Sequence, residues 1–275
     1  MPAPQNNTSP LSVAYSPCPN DTFMFHDVAT GKLRLPGRDI QVHLHDVETL
    51  NRMAMEATFD VTKLSLHAWL LVEDAYRMLG VGAAMGKGCG PVIVAGKAIA
   101  PADLAGCRIA IPGELTTAHL LLQLFQPTVG EKIFVRYDRV MDLVASGQAD
   151  AGVIIHEGRF TYAKAGLKLV ADLGQWWQEQ TDLPIPLGCF AARRDLGAET
   201  ISQFEALLRT SIENALADPG PAREYAKTYA QEMDEAVLTQ HVEMFVNDYS
   251  LALGDEGGAA VEKLRSLAMQ AGVLS

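Results

Sequence analysis

Apolar positions along the chain switch repeatedly between the two-residue alternation of a strand and the three-to-four-residue spacing of a helix. Residues 11–16 (Leu-Ser-Val-Ala-Tyr-Ser) read as a buried strand that Pro17 and Pro19 break. Asn20 and Asp21 are good cap types for a following helix that carries Phe23, Met24, Phe25 and Val28. Residues 39–45 alternate, with Ile40, Val42 and Leu44 on one face. A short helix at 48–57, a strand at 59–64 and a helix starting near Ser65 come next. Short strands at 76–81 and 91–95 then flank a glycine-rich turn at 82–90. The pattern restarts with a helical turn at 101–105, strands at 108–111 and 132–137, and helices at 116–126 and 140–146. Strands at 151–155, 168–171 and 188–192 complete the set. Beyond Leu196 only helices are expected, at about 199–217, 220–231, 234–248 and 256–271.

Strands alternating with helices predict parallel, doubly wound sheets. Two such modules and a helical C-terminal tail predict an α/β protein of two lobes. Residues 1–95 with 189–275 form the larger lobe and 96–188 the smaller. Ligands of open α/β sheets sit at the carboxyl ends of the strands, beside helix N-termini, so the cleft between the lobes is the expected site. The sequence contains no internal repeat and no low-complexity tract.

Composition narrows the function classes. A chain of 275 residues, 48% apolar and 20% charged, is an ordinary globular sequence with ample material for a core. Its net charge of -11, with Lys and Arg scattered, excludes a phosphate-tracking nucleic-acid surface. A locally positive site stays open. The first ten residues lack the basic start and apolar stretch of a secretory signal, and no apolar run is long enough to span a bilayer. Cys18, Cys89, Cys107 and Cys189 lie far apart with no Cys-x-x-Cys pair, which fits free thiols in a reducing compartment. A cytoplasmic protein that engages neither membrane nor nucleic acid is the expectation.

Three strand-to-helix loops carry candidate chemistry. In residues 15–23 (Tyr-Ser-Pro-Cys-Pro-Asn-Asp-Thr-Phe) two prolines fix the backbone around Cys18. This loop is either a stiff turn or one wall of the cleft, formed by Cys18, Asn20 and Asp21. Only a nearby helix start favours Cys18 as a nucleophile. In residues 112–119, Thr116 and Thr117 stand where helix N–H groups are unpaired and the dipole is positive. They are either a simple cap or a grip for a carboxylate. In residues 150–157, the run Val153 to Ile155 fits a strand buried on both faces, with His156 and Glu157 at its carboxyl end. Neighbours on a strand point to opposite sides, so the two do not face a ligand together. His156 is either a hydrogen-bonded structural residue or a general base.

Other patterns fall away. Residues 80–86 miss the dinucleotide fingerprint by one position and precede no helix, and Lys87 lacks the context of a P-loop. His43 and His45 share a strand face, but with no third ligand at zinc spacing an exposed edge strand explains them. No metal or cofactor motif survives.

The 16–23 loop, Lys63-Leu64-Ser65 after a strand, and Ile154-Ile155-His156-Glu157 followed by Arg159-Phe160-Thr161-Tyr162 together resemble the 1,4-dihydroxy-6-naphthoate synthase family. Residues 46–51 and Tyr249-Ser250 fit as well, and the resemblance leaves only the first ten residues uncovered. It implies a two-lobed, type II periplasmic-binding-protein-like clamshell. It also implies a step of the futalosine route to menaquinone, in which cyclic dehypoxanthine futalosine becomes 1,4-dihydroxy-6-naphthoate and dihydroxyacetone is released. By the same resemblance Lys63, Leu64, Ser65, Thr116 and Thr117 contact substrate, His156 is the proton acceptor, and no cofactor takes part. Two alternatives stand beside it. One is a chorismate dehydratase-like enzyme of the same route, whose pattern these loops do not match. The other is a small-anion solute-binding protein, for which the expected signal is missing.

Overall fold

Strands buried on both faces must lie inside sheets covered by helices, and the chain builds two such sheets. The computed structural model describes residues 9–230 and 234–274. The first stretch runs β1 (Leu11–Tyr15), α1 (Pro19–Ala29), β2 (Ile40–Leu44), α2 (Val47–Met55), β3 (Val61–Ser65), α3 (Leu66–Val72), β4 (Tyr76–Met78) and β5 (Ala84–Gly86). The second runs β6 (Val92–Ala95), β7 (Ile109–Ile111), α4 (Thr117–Phe125), β8 (Lys132–Phe134), α5 (Val140–Ala145), β9 (Ala151–Ile154), α6 (Gly158–Thr161), β10 (Lys168–Asp172) and α7 (Leu173–Thr181). The chain then returns through β11 (Ile185–Arg193) and closes with α8 (Ala198–Ala217), α9 (Pro219–Lys227), α10 (Glu235–Phe245), α11 (Asp248–Leu251) and α12 (Gly254–Gln270).

The first sheet has the order β2-β1-β3-β11-β4, with β5 also on β11, and the second has β10-β6-β9-β7-β8. The expected α/β two-sheet architecture is present, but the sheets are mixed rather than wholly parallel. β1 runs parallel to β2 and β3, and β7 parallel to β8 and β9, as strand-helix-strand units require. β6 and β11 are antiparallel to their neighbours. Both begin beside the cleft, where the other strands end, because each enters its sheet directly from the other half of the molecule. Sheet membership also shifts the expected division. Val92–Ala95 pairs in the second sheet and β11 rejoins the first at Ile185, so the changeovers lie at 87–91 and 182–184.

Several local expectations are corrected. α1 starts at Pro19 with Cys18 at the cap, so Asn20 and Asp21 lie inside its first turn and do not cap it. Its fixed φ makes proline a good first helical residue, and that placement overrides the asparagine and aspartate signal. The glycine-rich turn conceals β5, and α7 has no counterpart in the sequence expectations. The helix expected at 220–231 ends at Lys227, and Gln231 lies outside the described residues. That expected at 234–248 is divided between α10 and α11.

The apolar core that packs α1 and α8 on the first sheet is aromatic: Tyr15 stacks on Phe25 at 4.4 Å between centroids, and Phe25 leans on Phe190 at 4.8 Å. β2 is an edge strand, as expected, and its half-buried His43 and the following His45 pack on Phe59 at 5.0 and 5.9 Å. All four cysteines are free. Among the described residues no helix is long and apolar enough to cross a membrane, and no group of three or more His, Cys, Asp or Glu is placed to hold a metal.

The first changeover segment is clamped by Arg159, which donates to the Gly90 carbonyl at 2.8 Å and to Asp172 at 2.6 Å. Asp172 in turn caps α7 by accepting from the N–H groups of Gly174 and Gln175. Gly174 lies so close to this segment that a Cβ there would stand 1.7 Å from the Cys89 carbonyl oxygen. Backbone must move to admit it. Gly174→Ala is therefore expected to lose about 1–3 kcal/mol in urea unfolding. A variant as stable as the parent would show that the two segments are not in contact.

Candidate active site

Residues at the carboxyl ends of β1, β3 and β9 converge with the start of α4 around a cavity of about 700 Å³, including its open mouth. The cavity wall brings together Asn20, Asp21, Lys63, Leu64, Ser65, Thr116, Thr117 and His156, although these come from four separate stretches of the chain. Cys18 lies just behind the wall, buried against His156.

A buried ion pair anchors one side. Lys63 Nζ donates to Asp21 Oδ1 at 2.6 Å, and both side chains are almost wholly out of solvent. The same carboxylate accepts from Ser16 Oγ at 2.6 Å and from Asn20 Nδ2 at 2.9 Å. Lys63 also rests over the Phe190 ring at 4.6 Å, a favourable place for a desolvated cation. These donors occupy the Asp21 acceptor sites and compensate the solvation that burial removes.

His156 is built differently. β9 ends at Ile154, and His156 adopts a left-handed φ of 56°. A non-glycine residue in that region costs on the order of 1–3 kcal/mol and persists where the surroundings enforce it. The turn places the imidazole at the cavity wall, and Glu157 is not part of that wall. Tyr137 meets the ring edge-on at 4.8 Å. Cys18 Sγ lies 3.3 Å from Nδ1 and 3.6 Å from Nε2. The sulfur thus touches both ring nitrogens without selecting a tautomer. Burial holds the His156 pKa down at about 4, against the pull of Asp21, so the ring is neutral near pH 7. Burial also pushes the Cys18 thiol well up, as do the Glu157 and Asp21 charges. A protonated thiol is no nucleophile, and Cys18 is a packing partner of the imidazole.

The opposite wall is the start of α4. Thr116 caps the helix: its Oγ1 accepts from the His119 N–H at 3.2 Å and donates to the Gly113 carbonyl at 2.9 Å. Thr117 Oγ1 donates to the Leu187 carbonyl at 2.7 Å and accepts from the His67 N–H at 3.2 Å. Both hydroxyl protons are committed to the protein, which alters the carboxylate-grip expectation. The groups left for an anion are the first backbone N–H groups of α4.

Residues from the first sheet's half hold this wall in place. Glu48 accepts from the Leu115 N–H at 3.0 Å, and Asn51 donates to the Leu115 carbonyl at 3.3 Å. Asn51 also exchanges two bonds with Ser65, accepting from its N–H at 2.9 Å and donating to its Oγ at 3.0 Å. Glu48 and Asn51 sit three apart on α2, one turn of a helix, and this spacing was the signal that could have marked them. His241, on α10, also lines the cavity. It lies in a tail read only for helix periodicity, and no local pattern marks it.

A two-lobed α/β fold of the periplasmic-binding-protein type, with a cleft between its sheets, is the class these features define. Among solved structures, an Archaeoglobus fulgidus protein superposes with a TM-score of 0.91 at 42% identity, covering 96% of this chain and 98% of that one. An alkanesulfonate-binding protein from Xanthomonas axonopodis pv. citri, bound to MOPS, superposes with a TM-score of 0.72 at 15% identity, over 97% of this chain and 94% of its own, and shares the fold alone. A family model described as menaquinone biosynthesis matches residues 11–270. Two curated relatives are named 1,4-dihydroxy-6-naphthoate synthase. The Thermus thermophilus protein is 45% identical over 92% of each chain, and that of Streptomyces coelicolor is 41% identical over 96% of this chain and 94% of its own. The chain belongs to this menaquinone-biosynthesis family.

Two measurements check the electrostatics of the cleft. Burial holds His67 as well as His156 at about 4 and His241 well below its usual value, whereas the unfolded chain protonates histidine near 6.5. Between these limits the unfolded state binds more protons, so stability falls as pH drops from about 6.5 towards 4, by roughly 1.4 kcal/mol per pH unit for each such ring. Urea midpoints are expected to show this slope, and His67→Gln to flatten it. A slope unchanged in that variant would contradict a neutral buried ring. Secondly, Lys63→Met should cost about 3–5 kcal/mol by stranding Asp21, and adding Asp21→Asn should restore part of that loss. Additive losses in the double variant would mean that the pair is not coupled.

Proposed function

We propose that the chain is a cofactor-free carbon–carbon lyase that converts cyclic dehypoxanthine futalosine to 1,4-dihydroxy-6-naphthoate and dihydroxyacetone. The observation that carries this reading is His156: a neutral imidazole, held at the cleft wall by a strained left-handed turn, in a chain belonging to a menaquinone-biosynthesis family. Strain of this kind at a cavity wall is a mark of function, because a glycine would adopt the turn without cost but carry no ring.

In this reading His156 removes a proton from a substrate hydroxyl. The oxygen's electron pair forms the carbonyl of the leaving dihydroxyacetone as the adjacent carbon–carbon bond breaks. The bond pair passes into the ring ketone as an enolate, which recovers the proton, and tautomerisation gives the aromatic diol. Electrons balance without an oxidant or reductant, and aromatisation supplies driving force. A base with a pKa of about 4 is weak in the empty cleft, and a bound anionic substrate beside it would raise that value.

Lys63, Leu64 and Ser65 form the substrate wall on the β3 side. Thr116 and Thr117 act there through the α4 backbone N–H groups, whose positive end suits a substrate carboxylate. Cleft closure around the substrate would exclude water and orient the hydroxyl against His156.

The test is turnover by purified protein, with naphthoate followed by chromatography. Wild type is expected to release naphthoate, and His156→Asn to bind substrate while losing about 10²–10⁴-fold in kcat. Wild type that binds substrate and releases nothing would overturn the lyase reading. An active His156→Asn variant would overturn the assignment of the base.

A further inference from the structure

His241 is completely buried and lies at the cavity wall, 6.2 Å from His156 between ring centroids. Its Nε2 is 3.0 Å from Asn20 Oδ1, while its Nδ1 has no hydrogen-bond partner. An orphaned buried nitrogen forfeits its solvation, so a site that keeps one invites a ligand group to meet it.

The neighbours settle which nitrogen carries the proton. Asp21 accepts only, and it takes Lys63 and Asn20 Nδ2 on the same oxygen. Asn20 must therefore turn its amide NH₂ to Asp21 and its carbonyl oxygen to His241. That oxygen can only accept, so His241 presents Nε2–H to it and Nδ1 is left as a bare lone pair. Donation along Lys63–Asp21–Asn20–His241 thus converges on the Asp21 carboxylate, from Lys63 on one side and from His241 through Asn20 on the other, and leaves His241 Nδ1 an unfilled acceptor. Phe245, 4.8 Å away, packs the ring in place.

We propose that His241 Nδ1 accepts a hydrogen bond from a hydroxyl of the bound substrate and orients it for reaction at His156. The inference rests on the lyase reading above and adds a second substrate-contacting histidine to it. Because Nδ1 cannot donate while Nε2–H is held by Asn20, the position selects a hydroxyl over a carbonyl or carboxylate oxygen. A ligand presenting only acceptors there would leave both lone pairs opposed.

The experiment compares His241→Asn with His241→Gln. An asparagine amide reaches the place of Nδ1, and a glutamine amide the place of Nε2. His241→Gln keeps the bond to Asn20 and loses the acceptor, so kcat/KM is expected to fall on the order of 10- to 100-fold. His241→Asn should retain about ten times more activity than the glutamine variant. The reverse ranking would show that the Asn20 bond alone matters and would overturn the proposal. If either variant fails to fold, ¹⁵N-edited spectra of wild type decide. The Nδ1 signal should lie in the unprotonated range and move towards the hydrogen-bonded range on adding 1,4-dihydroxy-6-naphthoate, and a signal that does not move overturns the proposal. Wild type without naphthoate production would instead bring down the lyase reading, and this inference with it.

Discussion

The buried contact between Lys63 and Asp21 is the constraint on which the cleft depends. Withdrawing two charges from water costs several kcal/mol for each ion, and their attraction offsets that cost only when the remaining donors and acceptors are filled. Here they are filled by Ser16, Asn20 and the face of Phe190. The pair joins the end of β3 to the first turn of α1, and so fixes two of the loops that meet at the cavity. It also explains the proline-bound loop. Ser16 and Asp21 bond across it, and a flexible loop would pay the ordering entropy each time the pair formed.

A second set of bonds runs between the two halves. Glu48 and Asn51 on α2 hold Leu115, and Thr117 holds the Leu187 carbonyl. The start of α4 is therefore positioned by residues outside its own sheet. These bonds are partly shielded from solvent, whereas the ion pairs of the exposed Arg52 with Glu48 and Glu114 add little. Gly113, with a φ of 137°, lets the loop approach Glu48 so closely that a Cβ would stand 2.5 Å from its carboxylate. The tight approach and the hydrogen bond to Leu115 are two aspects of one contact.

His156 gains its position from strain and its neutrality from burial. The ring is packed by Tyr137 and Cys18, and its left-handed backbone aims it where a regular strand would not. Lys63 offsets part of the pull that Asp21 exerts on the imidazole, and burial outweighs the rest. Histidine and carboxylate thus share one interior without forming an ion pair. A neutral base beside a saturated ion pair is a wall that can meet a polar substrate without repelling it.

Local pattern was enough to show the alternation of strands and helices, the three loops at strand ends and the position of His156, because periodicity and turn chemistry act over a few residues. The long co-occurring motifs, through their resemblance, pointed to the family. Parallel order was predicted and held inside each strand-helix-strand unit, but β6 and β11 run the other way, since the direction of a strand arriving from another sheet is not written in its own residues. Asp21 looked like a helix cap until the partner 42 positions away was placed beside it. His241 meets Asn20 across 221 positions, and nothing near it in the chain distinguishes it from any other residue on an amphipathic helix. Sequence determined which segments could fold and which loops carried chemistry. Tertiary structure alone decided which polar groups would be buried together, because the cost of burying each one depends on partners that only the packed fold supplies.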